Sequence, residues 1–418
     1  MLLPAMFIAG QARAQLIDRY FPANIPAYQD WATAALALQT DSAYAPTGVR
    51  TGSFVIHPSV SESLGYDSNP FGNPTARGTA ESDTNVSVAA DSDWARNGLN
   101  AAITADRTQY FDFPSQSFTA WTAAAGGVID YAEDQIDVGY SHVNGVSLPT
   151  DVGSFSLRQP VIDQIDDVRV TDTLGPGPLI LVPSLDGQLY SFNPVSGGSQ
   201  TAFQQGLFNR SAINGSLTAG YEFSGGHNVI VIISDSQVGY QNSSLAARPA
   251  DYNDVSVLAG LEYQQSALIA YRALVGYEVR SPTGNGVSHG TISAPAAEFD
   301  IIWKPTALTS LTGKVSQSLQ DEPSGNSQGL TLTQAGVVLD HSLRRNVSVE
   351  GSLQYNSASS PSGSGNQSTF SAGASANWSI NRNWVLSLRY QYTSANDNTQ
   401  SLSGFDRHQI FLQAKFQL

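Results

Sequence analysis

The chain has 418 residues and no cysteine, which excludes a disulfide framework and any thiolate metal site. Charged residues are also scarce: they make up 13 % of the chain, whereas soluble domains carry about 25 %. No segment approaches the roughly 18 uninterrupted apolar residues of a transmembrane helix. The net charge of −15 opposes general binding of nucleic acid or other polyanions. This composition is unusual for a cytosolic enzyme.

The last third of the chain contains a repeated pattern that is typical of β-strands. Apolar and polar residues alternate there at period two, which predicts extended strands with one apolar face. Strands about ten residues long that run to the last residue are typical of a closed barrel spanning a bacterial outer membrane. The clearest segments are Val347–Tyr355, Thr369–Trp378, Trp384–Thr393 and Gln409–Leu418.

Loop lengths predict the topology of residues 51–418 as an all-β, closed antiparallel transmembrane β-barrel. Outer-membrane barrels alternate tight periplasmic turns with long external loops. Short turns at 95–98, 224–226, 303–306, 343–346 and 380–383 alternate here with longer stretches at 241–251, 281–290, 321–328, 356–367 and 395–405.

The strand count depends on residues 144–208, where the alternation fails. If this stretch is one long external excursion, the barrel has about 16 strands, which is the count we favour. If 157–170 and 182–191 form a further hairpin, the count is about 18. A soluble β-sandwich or β-helix also alternates, but either fits the many small residues and few charges less well.

The N-terminal region is predicted to precede the barrel. Apolar residues Leu2–Ala9 lead to Ala12-Arg13-Ala14, a cleavage pattern that predicts a signal peptide over 1–14. The leading segment lacks Lys and Arg, so we expect Met1 to be an internal codon of a longer signal peptide. Residues 15–50 lack period two and contain a candidate helix, Asp30–Leu38, so we expect a periplasmic or lumenal segment.

In each predicted strand, alternate residues face the barrel interior, and we call these positions the inward parity. The charged residues at these positions are the candidate functional residues. Placing one of these charged side chains in lipid near the bilayer midplane would destabilise the barrel by up to a few kcal/mol. They are therefore expected to line a water-filled lumen. Together with neutral Gln354, Gln391 and Gln413 they suit a hydroxyl-rich solute, although a mixed-charge lining without a particular ligand is an equal alternative. The set is Asp106, Asp137, Glu222, Glu262, Arg272, Glu278, Lys314, Glu350, Arg389 and Lys415.

Aromatic residues near predicted strand ends support the membrane interpretation, because amphipathic rings form girdles at both interfaces. One segment, Val229–Ile233, is apolar on both faces, so its inward side is expected to be packed. The aromatic set is Tyr110, Phe111, Tyr221, Phe223, Tyr240, Tyr277, Trp303, Tyr355, Trp378, Trp384 and Tyr392.

Motifs for catalysis, metals or cofactors are not found in the sequence. The six His are scattered without ligand spacing, and no nucleotide-binding or hydrolase motif occurs. We therefore predict no metal, cofactor or catalytic site, while an enzyme assembled from distant strands stays open as the alternative. The terminal strand, with Phe416 and Leu418, is expected to be the signal read by the barrel-insertion machinery.

Several short motifs resemble a family of β-barrel porins of Gram-negative bacteria that are often encoded beside genes for exopolysaccharide synthesis and export. The resemblance covers about residues 60–418, with an insertion around 171–205 that looks longer than the family pattern. The motifs are Leu64–Phe71, Trp303–Thr309, the turns at 343–346 and 380–383, and Phe405–Ile410.

The resemblance implies an outer-membrane conduit for a secreted polysaccharide, with a periplasmic export protein as partner. Passage of small hydrophilic solutes is the broader expectation. An outer-membrane enzyme, or an adhesin-like structural barrel without transport, is the alternative class.

Overall fold

The computed structural model describes residues 24–28, 44–131, 134–152, 159–174, 178–194, 208–241, 250–264, 268–283, 290–321, 329–360, 365–398 and 404–418. The predicted signal peptide and the candidate helix Asp30–Leu38 lie outside these residues. Within the described part of the chain, no helix has the length and apolar character needed to cross a bilayer.

The described residues form nineteen strands and two single 3-10 turns, Pro26–Tyr28 and Pro114–Gln116. Most strands contain 12 to 16 residues, which is long enough to cross a bilayer at the tilt of a barrel. The strands are β1 Val49–Thr51, β2 Phe54–Asp67, β3 Thr79–Ser92, β4 Gly98–Tyr110, β5 Phe118–Tyr131, β6 Asp134–Ser147, β7 Val161–Thr173, β8 Leu179–Pro194, β9 Arg210–Ser224, β10 His227–Tyr240, β11 Asp251–Tyr263, β12 Ile269–Thr283, β13 Ile292–Thr306, β14 Thr309–Gln320, β15 Leu330–Arg344, β16 Val347–Ser359, β17 Asn366–Ser379, β18 Trp384–Asp397 and β19 Phe405–Gln417.

Strands β2 to β19 close into an antiparallel barrel of 18 strands. Each strand pairs with its neighbours in the chain, and β19 returns to pair with β2 from Gln409↔Asp67 to Gln417↔Ser59. The short β1 pairs with the start of β2. The predicted all-β closed antiparallel barrel is therefore confirmed.

The count of 18, rather than the favoured 16, follows from β7 and β8. Both strands lie inside the stretch 144–208, which is therefore not one continuous excursion. The alternation is obscured in β7 because inward Ile165 is buried in an apolar cluster with Tyr190 and Phe192. Outward Asp166 is polar but is hydrogen-bonded to Tyr140 Oη at 2.7 Å.

The outer wall carries exposed apolar side chains in alternate positions, which is the lipid-facing pattern expected of such a barrel. Val275 and Leu412 are 70 % and 61 % exposed, and most of the predicted girdle aromatics are exposed near strand ends. Tyr110 and Tyr240 differ: they are only 4 % and 9 % exposed. They lie on the inward parity, where they contribute to polar and apolar clusters rather than to a girdle.

Short turns occupy the end of the barrel predicted to be periplasmic. The two-residue hairpin turn of Gly225 and Gly226 has φ of 50° and 82°, a conformation that favours glycine. In the turn at 380–383, Asn381 Oδ1 accepts the main-chain N–H groups of Asn383 and Trp384 at 2.8 and 2.9 Å. Side-chain hydrogen bonding of this kind fixes tight turns.

Residues 24–28 lie inside the barrel against the inward face of β5, β6 and β7. Ile25 is fully buried, and a Cβ on Gly126 would come within 2.6 Å of its side chain. Gly139 leaves similar room for Tyr28, whose Oη donates to the main-chain O of Asp167 at 3.1 Å. Burial, and then the nearby Asp167 carboxylate, raise the pKa of the Tyr28 hydroxyl above its ordinary range, so it stays a neutral donor.

A loop segment after β6, residues 148–152, crosses the barrel at the end that carries the long loops. Val152 is 1 % exposed and packs with Leu332 on β15 and Phe405 on β19. Because β15 follows β6 by nine strands in an 18-strand barrel, this contact joins opposite walls. We call residues 148–152 the mouth loop, since it narrows the external opening.

Candidate functional site: the lumen

All ten charged residues selected from the sequence lie on the inward parity of their strands, opposite to the exposed apolar side chains. Their surroundings fall into three groups. Four of them line one of two polar cavities, four lie beside other charged residues elsewhere on the wall, and two accept hydrogen bonds near strand ends.

The first cavity, which we call the arginine cavity, has a volume of about 260 Å³ and is lined by residues of β8 to β12 and β14. Its two guanidinium groups, Arg210 and Arg280, are 4 % and 5 % exposed. Arg280 donates to Asp254 Oδ2 at 2.8 and 3.0 Å and lies 4.1 Å from the centre of the Tyr252 ring. Arg210 lies 4.4 Å from the centre of the Tyr190 ring.

Asp321, which directly follows β14, joins both arginines. Its carboxylate oxygens lie 2.7 Å from Arg210 Nη1 and 3.1 Å from Arg280 Nη1, and Tyr252 Oη donates to it at 2.5 Å. Glu278 lies in the same cavity and accepts the main-chain N–H of Leu319 at 2.8 Å. The charges of this cavity are thus engaged with one another, which holds the end of β14 against β9, β11 and β12.

The second cavity, which we call the seam cavity, has a volume of about 530 Å³ and lies around the junction of β19 with β2. The mouth loop contributes Leu148, Thr150 and Asp151 to its lining. Three of the selected residues line it: Asp106, Arg389 and Lys415. The guanidinium of Arg389 lies 4.7 Å from the centre of the Phe411 ring, and Asp106 Oδ1 accepts Asn85 Nδ2 at 2.5 Å.

Neutral hydroxyl and amide groups follow the inner wall from β15 to β2, and those on β17, β18, β19 and β2 line the seam cavity. Gln334 donates to Asn356 at 3.1 Å, and Asn356 donates to Thr369 at 3.4 Å. Ser371 and Thr393 share a hydrogen bond of 3.0 Å on the next two strands. Across the seam, Gln413 Nε2 donates to Ser61 and Ser63 at 3.3 and 3.1 Å. The seam cavity therefore combines these neutral donors and acceptors with charged side chains of both signs, among them Glu81, Asp83, Arg389 and Lys415.

An ion pair closes the seam at its external end. Arg407 of β19 donates to both carboxylate oxygens of Asp67 on β2, at distances from 2.5 to 3.1 Å. Asp67 is fully buried, and Tyr110 Oη lies 3.2 Å from Arg407 Nη2. Alongside, Asn69 donates to the main-chain O of Asp406 at 3.1 Å. The two sequence motifs Leu64–Phe71 and Phe405–Ile410 thus meet in space.

Other selected residues lie elsewhere on the inner wall. Arg272 Nε lies 3.3 Å from Glu298 and 4.0 Å from Glu262, which forms a small charge cluster on β11 to β13. Lys314 is paired in register with Asp300, and Glu350 with Asp340.

Asp137 and Glu222 lie near the periplasmic end. Asp137 accepts Gln135 Nε2 at 2.9 Å, and Glu222 accepts the main-chain N–H of Gly226 at 3.0 Å. These two contacts support strand ends and a turn.

The terminal pair selected as an assembly signal lies at the periplasmic end of the seam. Phe416 faces outward against Trp384, with ring centres 5.1 Å apart. The main-chain N–H of Leu418 donates to Pro58 O at 3.1 Å.

The inward side of Val229–Ile233 is packed as expected, since Ile230 is 4 % exposed.

Sequence reasoning missed the residues that lock the arginine cavity. Arg280 shares the inward parity of Glu278, and Asp254 shares that of Glu262, so parity alone could have selected both. Asp321 had no comparable signal, because it lies beyond a strand end where no period applies. Within the described residues, no group of three or more His, Asp or Glu side chains is arranged to hold a metal ion.

Comparison with known proteins gives one family. A family model described as "Putative beta-barrel porin 2" matches residues 41–418. No curated protein matches the chain.

Solved structures similar to this chain include three bacterial proteins. The outer membrane protein opdK of Pseudomonas aeruginosa is 12 % identical, with a TM-score of 0.47 and coverage of 87 % of this chain and 99 % of that one. A BenF-like porin of Pseudomonas fluorescens Pf-5 is 11 % identical, with a TM-score of 0.48 and coverage of 88 % and 99 %. The FrpB iron transporter of Neisseria meningitidis is 6 % identical, with a TM-score of 0.48 and coverage of 89 % and 83 %.

Proposed function

The chain belongs to the β-barrel porin family whose model spans residues 41–418, and on this premise we propose that its lumen is a passive conduit for hydroxyl-rich solutes. The barrel lies in the bacterial outer membrane. The solute class that we propose is a polysaccharide segment or a small hydrophilic saccharide. A periplasmic polysaccharide-export protein is the proposed partner at the inner end, and the barrel-insertion machinery is the proposed partner during assembly.

The seam cavity carries this proposal. Its lining combines the amides of Gln391, Gln409 and Gln413 with the hydroxyls of Ser371 and Thr393. Saccharide hydroxyls both donate and accept hydrogen bonds, so a wall with both kinds of group suits them without requiring a particular charge. The arginine cavity is a poorer candidate, because its charged groups are already paired with one another.

The same cavity favours passage over firm retention. Its charges have both signs, and its hydrogen-bonding groups are spread over several strands. Conduction requires binding that is weak and distributed enough for the solute to leave. A row of exchangeable donors and acceptors along a wall meets that requirement.

Single-channel recording tests the proposal. The purified mature protein is reconstituted in planar bilayers, and current is recorded with and without neutral glucose oligomers of increasing length. Discrete conductance with block events that lengthen as the oligomer grows is the expected result. A correctly folded barrel that passes ions but shows no block by any oligomer would refute the saccharide assignment, and one without any conductance would refute passive transport.

A further inference from the structure

A carboxylate lies on the lipid-facing wall of β2, well inside the apolar band. Glu62 is on the parity of Val60, Leu64 and Tyr66, which are 42 %, 60 % and 50 % exposed. It precedes Tyr66, an exposed aromatic residue next to the external end of β2, by four positions, which places it about 10 Å below that ring at the usual rise and tilt of barrel strands. The apolar band of such barrels is about 25 Å tall, so Glu62 lies within it.

Neighbouring hydroxyls hold this carboxylate in place. Ser82 Oγ donates to Glu62 Oε1 at 2.5 Å, and Thr84 Oγ1 donates to Glu62 Oε2 at 2.6 Å. Both donors come from the outward face of β3 and are neutral. Among the described residues, no Lys, Arg or His nitrogen lies within 4.0 Å of Glu62.

An arginine occupies the same outer face two strands away. Arg107 is exposed on β4 and is paired in register with Thr84, which is itself paired with Glu62. The two opposite charges thus flank β3 on a line perpendicular to the strands. Within the described part of the chain, no carboxylate oxygen lies within 4.0 Å of the Arg107 guanidinium.

A lipid-facing charge is costly, by up to a few kcal/mol near the bilayer midplane and less near the interface. A two-fold axis places the same surface of two subunits in contact, so that residue i meets j and j meets i. With the axis at β3, Glu62 of each copy would face Arg107 of the other. Two reciprocal ion pairs would then replace four isolated charges in lipid, two from each copy.

We propose that the outer face of β2, β3 and β4 is the interface of a homodimer in the membrane, with a second copy of this chain as its occupant. Small side chains on this face allow close approach, because Ala80 of β3 and Ala105 of β4 lie on it and Ala414 of β19 is the register neighbour of Glu62. This inference is independent of which solute the lumen passes.

Cysteine cross-linking tests the interface in cells, because the chain has no cysteine of its own. Val86→Cys places one thiol on the outer face of β3 beside the proposed axis, and Val257→Cys is the matched control on the far wall. Val86 and Val257 are 43 % and 45 % exposed. The expected result is an oxidant-dependent dimer band for Val86→Cys and none for Val257→Cys. Equal cross-linking of both, or of neither, would overturn the proposal.

Charge exchange tests the ion pairs. Glu62→Arg gives a face with two arginines, and Arg107→Glu gives a face with two glutamates. Each variant alone is expected to lose dimer by roughly tenfold or more in native mass spectrometry, because like charges would face each other. An equal mixture of the two is expected to form heterodimers. Asp235→Arg, an outward reversal on β10, is the control and should leave the dimer unchanged.

Milder substitutions test the ion pairs even if a charge reversal prevents insertion of the barrel into the membrane. Glu62→Gln and Arg107→Gln keep the shape of the face and remove one charge each. Both should weaken the dimer while the barrel stays folded, as shown by its migration on unheated gels. A monomeric wild-type protein, or a dimer that none of the Glu62 and Arg107 variants weakens, would refute the assignment.

Discussion

The two cavities of the lumen differ in what their charges do. In the arginine cavity, Arg210 and Arg280 are almost fully buried and paired with Asp254 and Asp321. The seam cavity is about twice as large, at about 530 Å³ against 260 Å³. It mixes neutral amides and hydroxyls with Arg389 and Lys415. One cavity thus joins neighbouring strands through ion pairs, whereas the other is the one that we propose contacts a passing solute.

This difference shows that charge on an inner wall does not by itself identify a transport path. A buried ion pair gains little over apolar packing, but removing one partner leaves an uncompensated charge that is strongly destabilising. Variants in the arginine cavity should therefore alter stability first. Variants in the seam cavity should alter conduction first. Four experiments follow, from the largest expected effect to the smallest.

Shortening the ladder that closes the barrel beside the seam cavity is the strongest test. Deletion of Phe416–Leu418 removes the last register pairs of β19 with β2, Phe416↔Val60 and Gln417↔Ser59. We expect the protein to remain in the periplasm or to be degraded, because the terminal strand should carry the signal for insertion. Immunoblots of fractionated membranes measure this. Leu418→Phe, which supplies a terminal aromatic residue, is the control and should keep or raise the outer-membrane level. Normal levels of the deletion variant would contradict the prediction.

Loss of one guanidinium should separate stability from conduction. Arg280→Ala leaves Asp254 and Asp321 buried without that partner, so the barrel should lose about 3–5 kcal/mol of stability. The temperature at which the folded band disappears on gels measures this loss. Arg389→Ala in the seam cavity is the comparison and should lower that temperature less. Equal thermal stability of Arg280→Ala and the wild type would show that the arginine cavity does not stabilise the wall.

Reversal of a lumen charge should change ion selectivity. Arg389→Glu replaces a cation by an anion in the seam cavity, so preference for cations should rise, roughly two-fold in the permeability ratio. Glu350→Lys should shift the ratio in the opposite direction. Reversal potentials in a potassium chloride gradient measure both. Arg382→Glu, in a periplasmic turn, is the control. Unchanged selectivity in both folded lumen variants would place the ion path elsewhere.

Removal of one amide should weaken block by saccharides. Gln413→Leu deletes a hydrogen-bonding group of the seam cavity worth about 0.5–1.5 kcal/mol, so the concentration of glucose oligomer giving half block should rise several-fold. Gln320→Leu makes the same change in the arginine cavity and should have a smaller effect. If Gln320→Leu had the larger effect, the roles of the two cavities would be reversed.

Much of this fold could be predicted because a barrel wall is periodic. Alternation selected the strands and put Glu350, Arg389 and Lys415 on the inner face, since lipid and water impose opposite demands on successive residues. The same rule predicted too few strands for the barrel, because the alternation is obscured in β7. There, inward Ile165 belongs to an apolar cluster and outward Asp166 bonds to a tyrosine. Tertiary partners cancel the local signal in both cases.

The candidate site was less predictable than the wall around it. Asp321 and the mouth loop lie outside strands, so no period indicates where they point. Contact between Val152 and Leu332 joins segments far apart in the chain, which a single sequence does not reveal. The motifs that resemble a porin family were informative in another way, because Asp67 and Arg407 within them form the ion pair at the seam.

The seam also has a consequence for the order of folding. Asp67 and Arg407 are 340 positions apart, whereas the hairpins of the wall join neighbouring strands. Loop-closure entropy grows as the logarithm of length, so bringing β19 to β2 costs about 3 kcal/mol more than closing a ten-residue hairpin. The bidentate ion pair helps to offset that cost where it arises. The seam should therefore be the last ladder to form during folding and the first to separate during unfolding.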